Sequence, residues 1–129
     1  MAGERVKSNR DLIVWQKAMD MVVAVYQVTN HFPDHERFGL TSHTRKSAIS
    51  VPSNIAEGHA RNSTREFLHH LSIAQGSRAE TETQLLVALR LEYVNKPALR
   101  DAWNLIQEVG KLIAGLVRSL EKHEAMEKA

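Results

Sequence analysis

Residues 96–120 read Lys-Pro-Ala-Leu-Arg-Asp-Ala-Trp-Asn-Leu-Ile-Gln-Glu-Val-Gly-Lys-Leu-Ile-Ala-Gly-Leu-Val-Arg-Ser-Leu. Leu99, Trp103, Ile106, Gly110, Ile113, Val117 and Leu120 recur here at alternating spacings of four and three. That period places all of them on one helical face. A second row, Ala102, Leu105, Val109, Leu112 and Leu116, runs beside the first. Asn95-Lys96-Pro97 is a turn that restarts the helix, with proline in the first helical turn, where a missing N–H is tolerated.

Working toward the N-terminus, Ser63-Thr64-Arg65-Glu66 has the residues of a capping box and predicts a long preceding helix, running to about Tyr93. Its inner face is Phe67, Leu71, Ala74, Thr81, Leu85 and Ala88, and Gly76 in its polar middle predicts a crowded crossing. Before it, a helix begins around Gly39-Leu40-Thr41-Ser42 with a thin, small apolar set: Leu40, Ala48, Val51 and Ile55. Pro52 clashes with the carbonyl of Ala48. The apolar spacing continues across it, which predicts one kinked helix, with Gly58 ending it. The first helix is capped by Asp11 and stopped near Asn30 by Phe32-Pro33. It carries two rows: Leu12, Trp15, Met19, Val22 and Tyr26, then Val14, Ala18, Met21, Val25 and Val28.

Four helices, short connections and no strand alternation predict an all-α fold, an antiparallel up-down-up-down four-helix bundle. The bundle is expected over residues 11–122, after a flexible N-terminal arm (1–10) and before a frayed tail (123–129). The length of 129 residues suits one domain. An apolar share of 43% with 25% charged residues excludes a disordered composition. The chain has no cysteine, which excludes disulfides, thiolate metal sites and a cysteine nucleophile. No apolar run approaches the roughly 20 residues of a membrane span, and no leader pattern opens the chain, so the expected compartment is the cytoplasm. A bundle helix needs one apolar row, whereas the first and fourth carry two. Surplus apolar surface predicts a homo-oligomer, the alternative being that both rows serve an unequal bundle.

Catalytic patterns are weak. His31 and His35 straddle Phe32-Pro33, and His69-His70 are adjacent, so neither pair shares one helical face as paired metal ligands do. Glu80 and Glu82, two apart, do not face each other. No nucleophile elbow or glycine-rich phosphate loop is present. The expected protein is therefore not an enzyme and takes no cofactor or metal. A metal-dependent enzyme using histidines with Glu80 or Glu82 is the alternative from another class. A structural remnant without a ligand is a third. The formal charge is +2, concentrated between residues 41 and 78, where five basic residues face two acidic ones. Arg45, Lys46, Arg61 and Arg65 are the candidate contacts for structured RNA or DNA, or for a nucleic-acid-processing protein, with Arg61 and Arg65 flanking the turn between helices two and three.

The runs Leu40-Thr41-Ser42, Arg45-Lys46-Ser47-Ala48 and Ser50-Val51-Pro52-Ser53-Asn54-Ile55-Ala56-Glu57-Gly58, continued by Arg65-Glu66-Phe67 and Glu82-Thr83-Gln84-Leu85, resemble the "four helix bundle protein" family, also called the S23 ribosomal protein or 23S rRNA intervening-sequence protein family. The resemblance is close over residues 11–94. It implies a small bacterial cytosolic bundle assembled as a ring-like homopentamer. Some members are encoded within intervening sequences of 23S rRNA genes. Related members are accessory proteins of diversity-generating retroelements, in which a basic pentamer binds reverse transcriptase and nucleic acid. Arg45, Lys46, Arg61 and Arg65 match basic positions near the motif, and Asn54 and Glu57 its polar pair. With Pro52 and Gly58 that pair is read as structural, its side chains satisfying backbone groups freed by the proline. The chain departs from the pattern at Arg78 and Thr81, where smaller or more apolar residues are expected.

Overall fold

The computed structural model describes residues 9–128. They form α1 (Asn9–Thr29), α2 (Leu40–His59), α3 (Thr64–Arg90) and α4 (Lys96–Lys128), with a short 3-10 turn, Asp34–Glu36, between α1 and α2. No strand occurs among the described residues. Consecutive helices pack on one another, and α4 closes back onto α1. Cross-helix partners run in opposite order along neighbouring helices: Arg45 meets Thr29 while His59 meets Asp11, and Ser47 meets Thr81 while Asn54 meets His70. Neighbouring helices are thus antiparallel.

The apolar periods explain the core. Val14, Ala18, Met21 and Val25 of α1, Ala48 and Val51 of α2, Phe67, Leu71, Ala74 and Leu85 of α3, and Ile106, Val109 and Ile113 of α4 are fully buried. Both rows of α4 are used inside the bundle: Leu99, Ile106, Ile113 and Leu120 of the first and Ala102, Val109 and Leu116 of the second are buried, with Trp103, Val117, Leu105 and Leu112 as half-buried flanks. The outer row of α1 is split, Trp15 and Val22 packing against the core and the rest facing away. Leu12 is 53% exposed, Met19 and Tyr26 also face outward, and Val23, outside both rows, is exposed beside them.

Several local expectations are corrected. Asp11 is not an N-cap but a helical residue, 3% exposed, with Oδ2 3.6 Å from His59 Nε2. A carboxylate within the first turn still favours the helix N-terminus, and here it ties the start of α1 to the end of α2. Of the expected N-terminal arm, residues 9 and 10 are helical, and 1–8 lie outside the described residues. The expected frayed tail is helical through Lys128, supported by the i,i+4 pairs His123–Glu127 and Glu124–Lys128. α3 stops at Arg90 rather than Tyr93. Glu92 adopts a left-handed conformation (φ 62°), and Tyr93 N–H donates to the Ala88 carbonyl while Glu92 N–H donates to that of Leu89. This is a Schellman ending without its usual glycine.

The glycines are corrected most sharply. Gly58 does not end α2, which runs one residue beyond it. A Cβ there would lie 2.7 Å from both His70 Cβ and Phe67 Cδ1. Gly76 is not at a crossing, for a Cβ there would meet nothing within 4 Å. The same substitution therefore takes opposite signs. Gly58→Ala should lower unfolding free energy by about 1–3 kcal/mol through overpacking. Gly76→Ala should raise it by about 0.5–1 kcal/mol through helix propensity. Urea denaturation of both variants checks this, and equal effects would contradict the packing described.

Candidate functional site

The Pro52 segment is where sequence and structure meet. α2 passes Pro52 as one helix and lays a row of small polar side chains against α3. Ser47 Oγ lies 2.7 Å from Thr81 Oγ1 and 2.9 Å from Gln84 Oε1. One turn on, Ser50 Oγ lies 2.8 Å from Ser77 Oγ. One turn further, Asn54 Oδ1 lies 3.2 Å from His70 Nδ1. Gly58 then rests on Phe67 and His70. The first rung is buried, Thr81 fully, and the row grows more open toward Asn54 and His70, which are half-buried. A hydroxyl both donates and accepts, so each satisfies its neighbour across the interface. Thr81, which departs from the expected apolar type, is thus a rung, donating also to the Ser77 carbonyl.

Asn54 is structural in a different way from that expected. Its Nδ2 donates to the carbonyl and hydroxyl of Ser50, not to the Ala48 carbonyl that Pro52 leaves free. Glu57 is exposed and holds Arg61 at 3.2 Å, with His70 Nδ1 4.0 Å away. Arg78 folds over Gly110, its Nε donating to Gln75 Oε1 at 2.6 Å and Nη1 lying 3.4 Å from Glu82. Gln75 reaches the Gly110 carbonyl and Gln107 reaches Glu82, which closes a polar clamp between α3 and α4.

The four basic candidates are not brought together. Arg45 lies along α1, its Nε donating to Thr29 Oγ1 at 2.8 Å, Nη2 to Asn30 Oδ1, and Cζ 4.5 Å from the Tyr26 ring centroid. Lys46 is exposed beside it. Arg61 and Arg65 sit past the other end of α2, a helix about 30 Å long. Only Arg61 and Arg65 share one turn, both exposed. Among the described residues no three His, Asp or Glu side chains gather as a metal site would need. Glu80 accepts from Gln84 on its own helix while Glu82 faces α4. No helix among the described residues is long and apolar enough to cross a membrane.

One polar cluster escaped the sequence reading because its members are 57 residues apart. The Tyr93 hydroxyl donates to Glu36 Oε2 at 2.8 Å, the Leu40 N–H donates to Glu36 Oε1, and His35 Nε2 lies 3.3 Å from the same hydroxyl. Glu36 therefore caps α2 from outside it, where Gly39 supplies no side chain. The Leu40 N–H, then the Tyr93 hydroxyl, hold the Glu36 carboxyl below its ordinary value, against a smaller effect of burial. The Glu36 carboxylate raises Tyr93 in turn.

A family model for the 23S rRNA-intervening sequence protein matches residues 10–115. Among solved structures, the chain is similar to a protein of unknown function from the S23 ribosomal protein family of Bacteroides thetaiotaomicron. The identity is 24%, the TM-score 0.77, and the match covers 84% of this chain and 98% of that one. At that identity the likeness shows the fold alone. No curated protein matches the sequence.

The Glu36 contact is complete between the ordinary carboxyl value of 4.5 and the ordinary tyrosine value of 10.0. Because the folded value of Glu36 is lowered, its stabilisation is lost as pH falls below 4.5 and through that lowered value. Melting temperatures should therefore drop more steeply on acidification in the wild type than in Glu36→Gln. Parallel acid profiles would contradict the cap.

Proposed function

Because this chain belongs to the 23S rRNA-intervening sequence protein family, whose function is not established, we propose that it is a non-enzymatic, self-assembling helical adaptor of the cytoplasm that binds a protein or nucleic-acid partner. The observation that carries the reading is the outer row of α1. Leu12, Met19 and Tyr26 of that row, with Val23 beside them, stay exposed, while Trp15 and Val22 of the same row pack against the core. Apolar side chains repeated along about 20 Å of helix mark a contact surface rather than a solvated one. Pentamer is the number the family resemblance implies.

Arg61 and Arg65 support the nucleic-acid form of the reading. They are exposed on one turn, and a ring of copies would repeat that turn around its rim. Lys46 stands apart from them, and Arg45 contributes mainly to the α1–α2 contact.

Native mass spectrometry should give an integer multiple of the 14.6 kDa chain, five being the expected multiple. A mass of one chain at micromolar concentration would overturn the adaptor reading. Structured RNA should bind less tightly as salt rises, and Arg61→Ala with Arg65→Ala should flatten that dependence by about two phosphate contacts. Absent or salt-insensitive binding would leave a protein partner in place of RNA.

A further inference from the structure

We propose that copies of this chain join head to tail, with the cationic cleft between α3 and α4 of one copy receiving the acidic face of α1 and α4 of the next. The inference rests on the self-assembly reading above and adds which surfaces meet.

The cleft lies where the end of α3 diverges from the start of α4. It has a volume of about 420 Å³, its walls are apolar side chains including Leu86 and Trp103, and its charged residues are Lys96 and Arg100. The other flank of α4 bears the opposite charge. There a groove against α1 is lined by Asp20, Asp101 and Glu108, with Val23 and Leu105 between them. Val23 is 57% exposed, and the exposed Met19 is one helical turn away. Glu108 is held by Lys17 at 3.4 Å. Asp20, Asp101, Lys96 and Arg100 form no ion pair with another described residue.

Position and sign decide the geometry. Arg100 and Trp103 alternate along α4 with Asp101 and Asn104, so cleft and groove stand at the same height on different flanks of one helix. A two-fold contact through either surface would set like charges against like, which is unfavourable. Cleft against groove sets opposite charges together and offers the projecting Val23 to the apolar walls. Two different surfaces meeting at one height make a heterologous contact, the kind that closes into a ring when its rotation permits.

Sedimentation of full-length protein at low and high salt tests this. Lys96→Glu with Arg100→Glu, and separately Asp20→Lys with Asp101→Lys, should each reduce the assembled wild type to the 14.6 kDa chain, with an unchanged helical spectrum. All four reversals in one chain make both surfaces complementary again and should restore assembly. That rescue also excludes misfolding as the cause of dissociation. Moderate salt should weaken the wild-type assembly, since these charges are exposed. A wild type that assembles while both double variants assemble equally well would overturn the inference and leave self-assembly standing. A monomeric wild type would overturn both. Dissociation of the double variants without rescue would overturn the cleft-to-groove pairing.

Discussion

Gly58 rests on Phe67 and His70 because it has no side chain to keep them away, and that close approach governs how α2 meets α3. Small residues line the rest of the contact, Ser47, Ala48, Ala74, Ser77 and Thr81 among them, and all are buried. Helices this close bring hydroxyls within reach of one another, so groups that would be costly to bury unpaired become cross-links. The Pro52 segment is therefore best understood as packing chemistry. Its inward residues are small because α3 is near, and Ser50 and Asn54 are polar because each has a partner there. Large apolar side chains from every helix, Met21 of α1, Ile55 of α2, Phe67 and Leu71 of α3, and Ile106 and Ile113 of α4, fill the rest of the core.

Much of the architecture was legible in the sequence, and the reason is period. The four-three spacing from Leu99 to Leu120 and the Ser63 cap are local patterns: Leu99, Ile106, Ile113 and Leu120 are buried, Trp103 and Val117 pack against the core, and Ser63 Oγ accepts from the Glu66 N–H. What was not legible depended on distant partners. Gly58 and Gly76 look alike in sequence, yet one meets a phenylalanine and the other open space. Asp11 has the composition of a cap, but α1 already runs through it and its carboxylate meets His59 of α2. Glu36 and Tyr93 belong to different connections and meet only once the bundle closes. Glu92 carries none of the turn signal that a glycine would give to the end of α3.

Charge shows the same division. The cationic excess between residues 41 and 78 is real in sequence. In space, Arg45 is spent on α1, Arg78 on the α3–α4 clamp, and Arg61 faces Glu57. The distribution that stands out instead runs around α4, cationic toward α3 and anionic toward α1. No linear count finds it, because consecutive residues of a helix face different flanks.

With the Pro52 motif closing it, the small-residue contact of α2 with α3 is expected to be the most firmly closed part of the molecule. Native-state hydrogen exchange reads this residue by residue. The slowest amides should lie in α2 from Thr44 to Gly58 and in α3 from Phe67 to Leu85, and should exchange only with global unfolding. Slowest exchange in α1 and α4, with α2 and α3 opening first, would contradict the account.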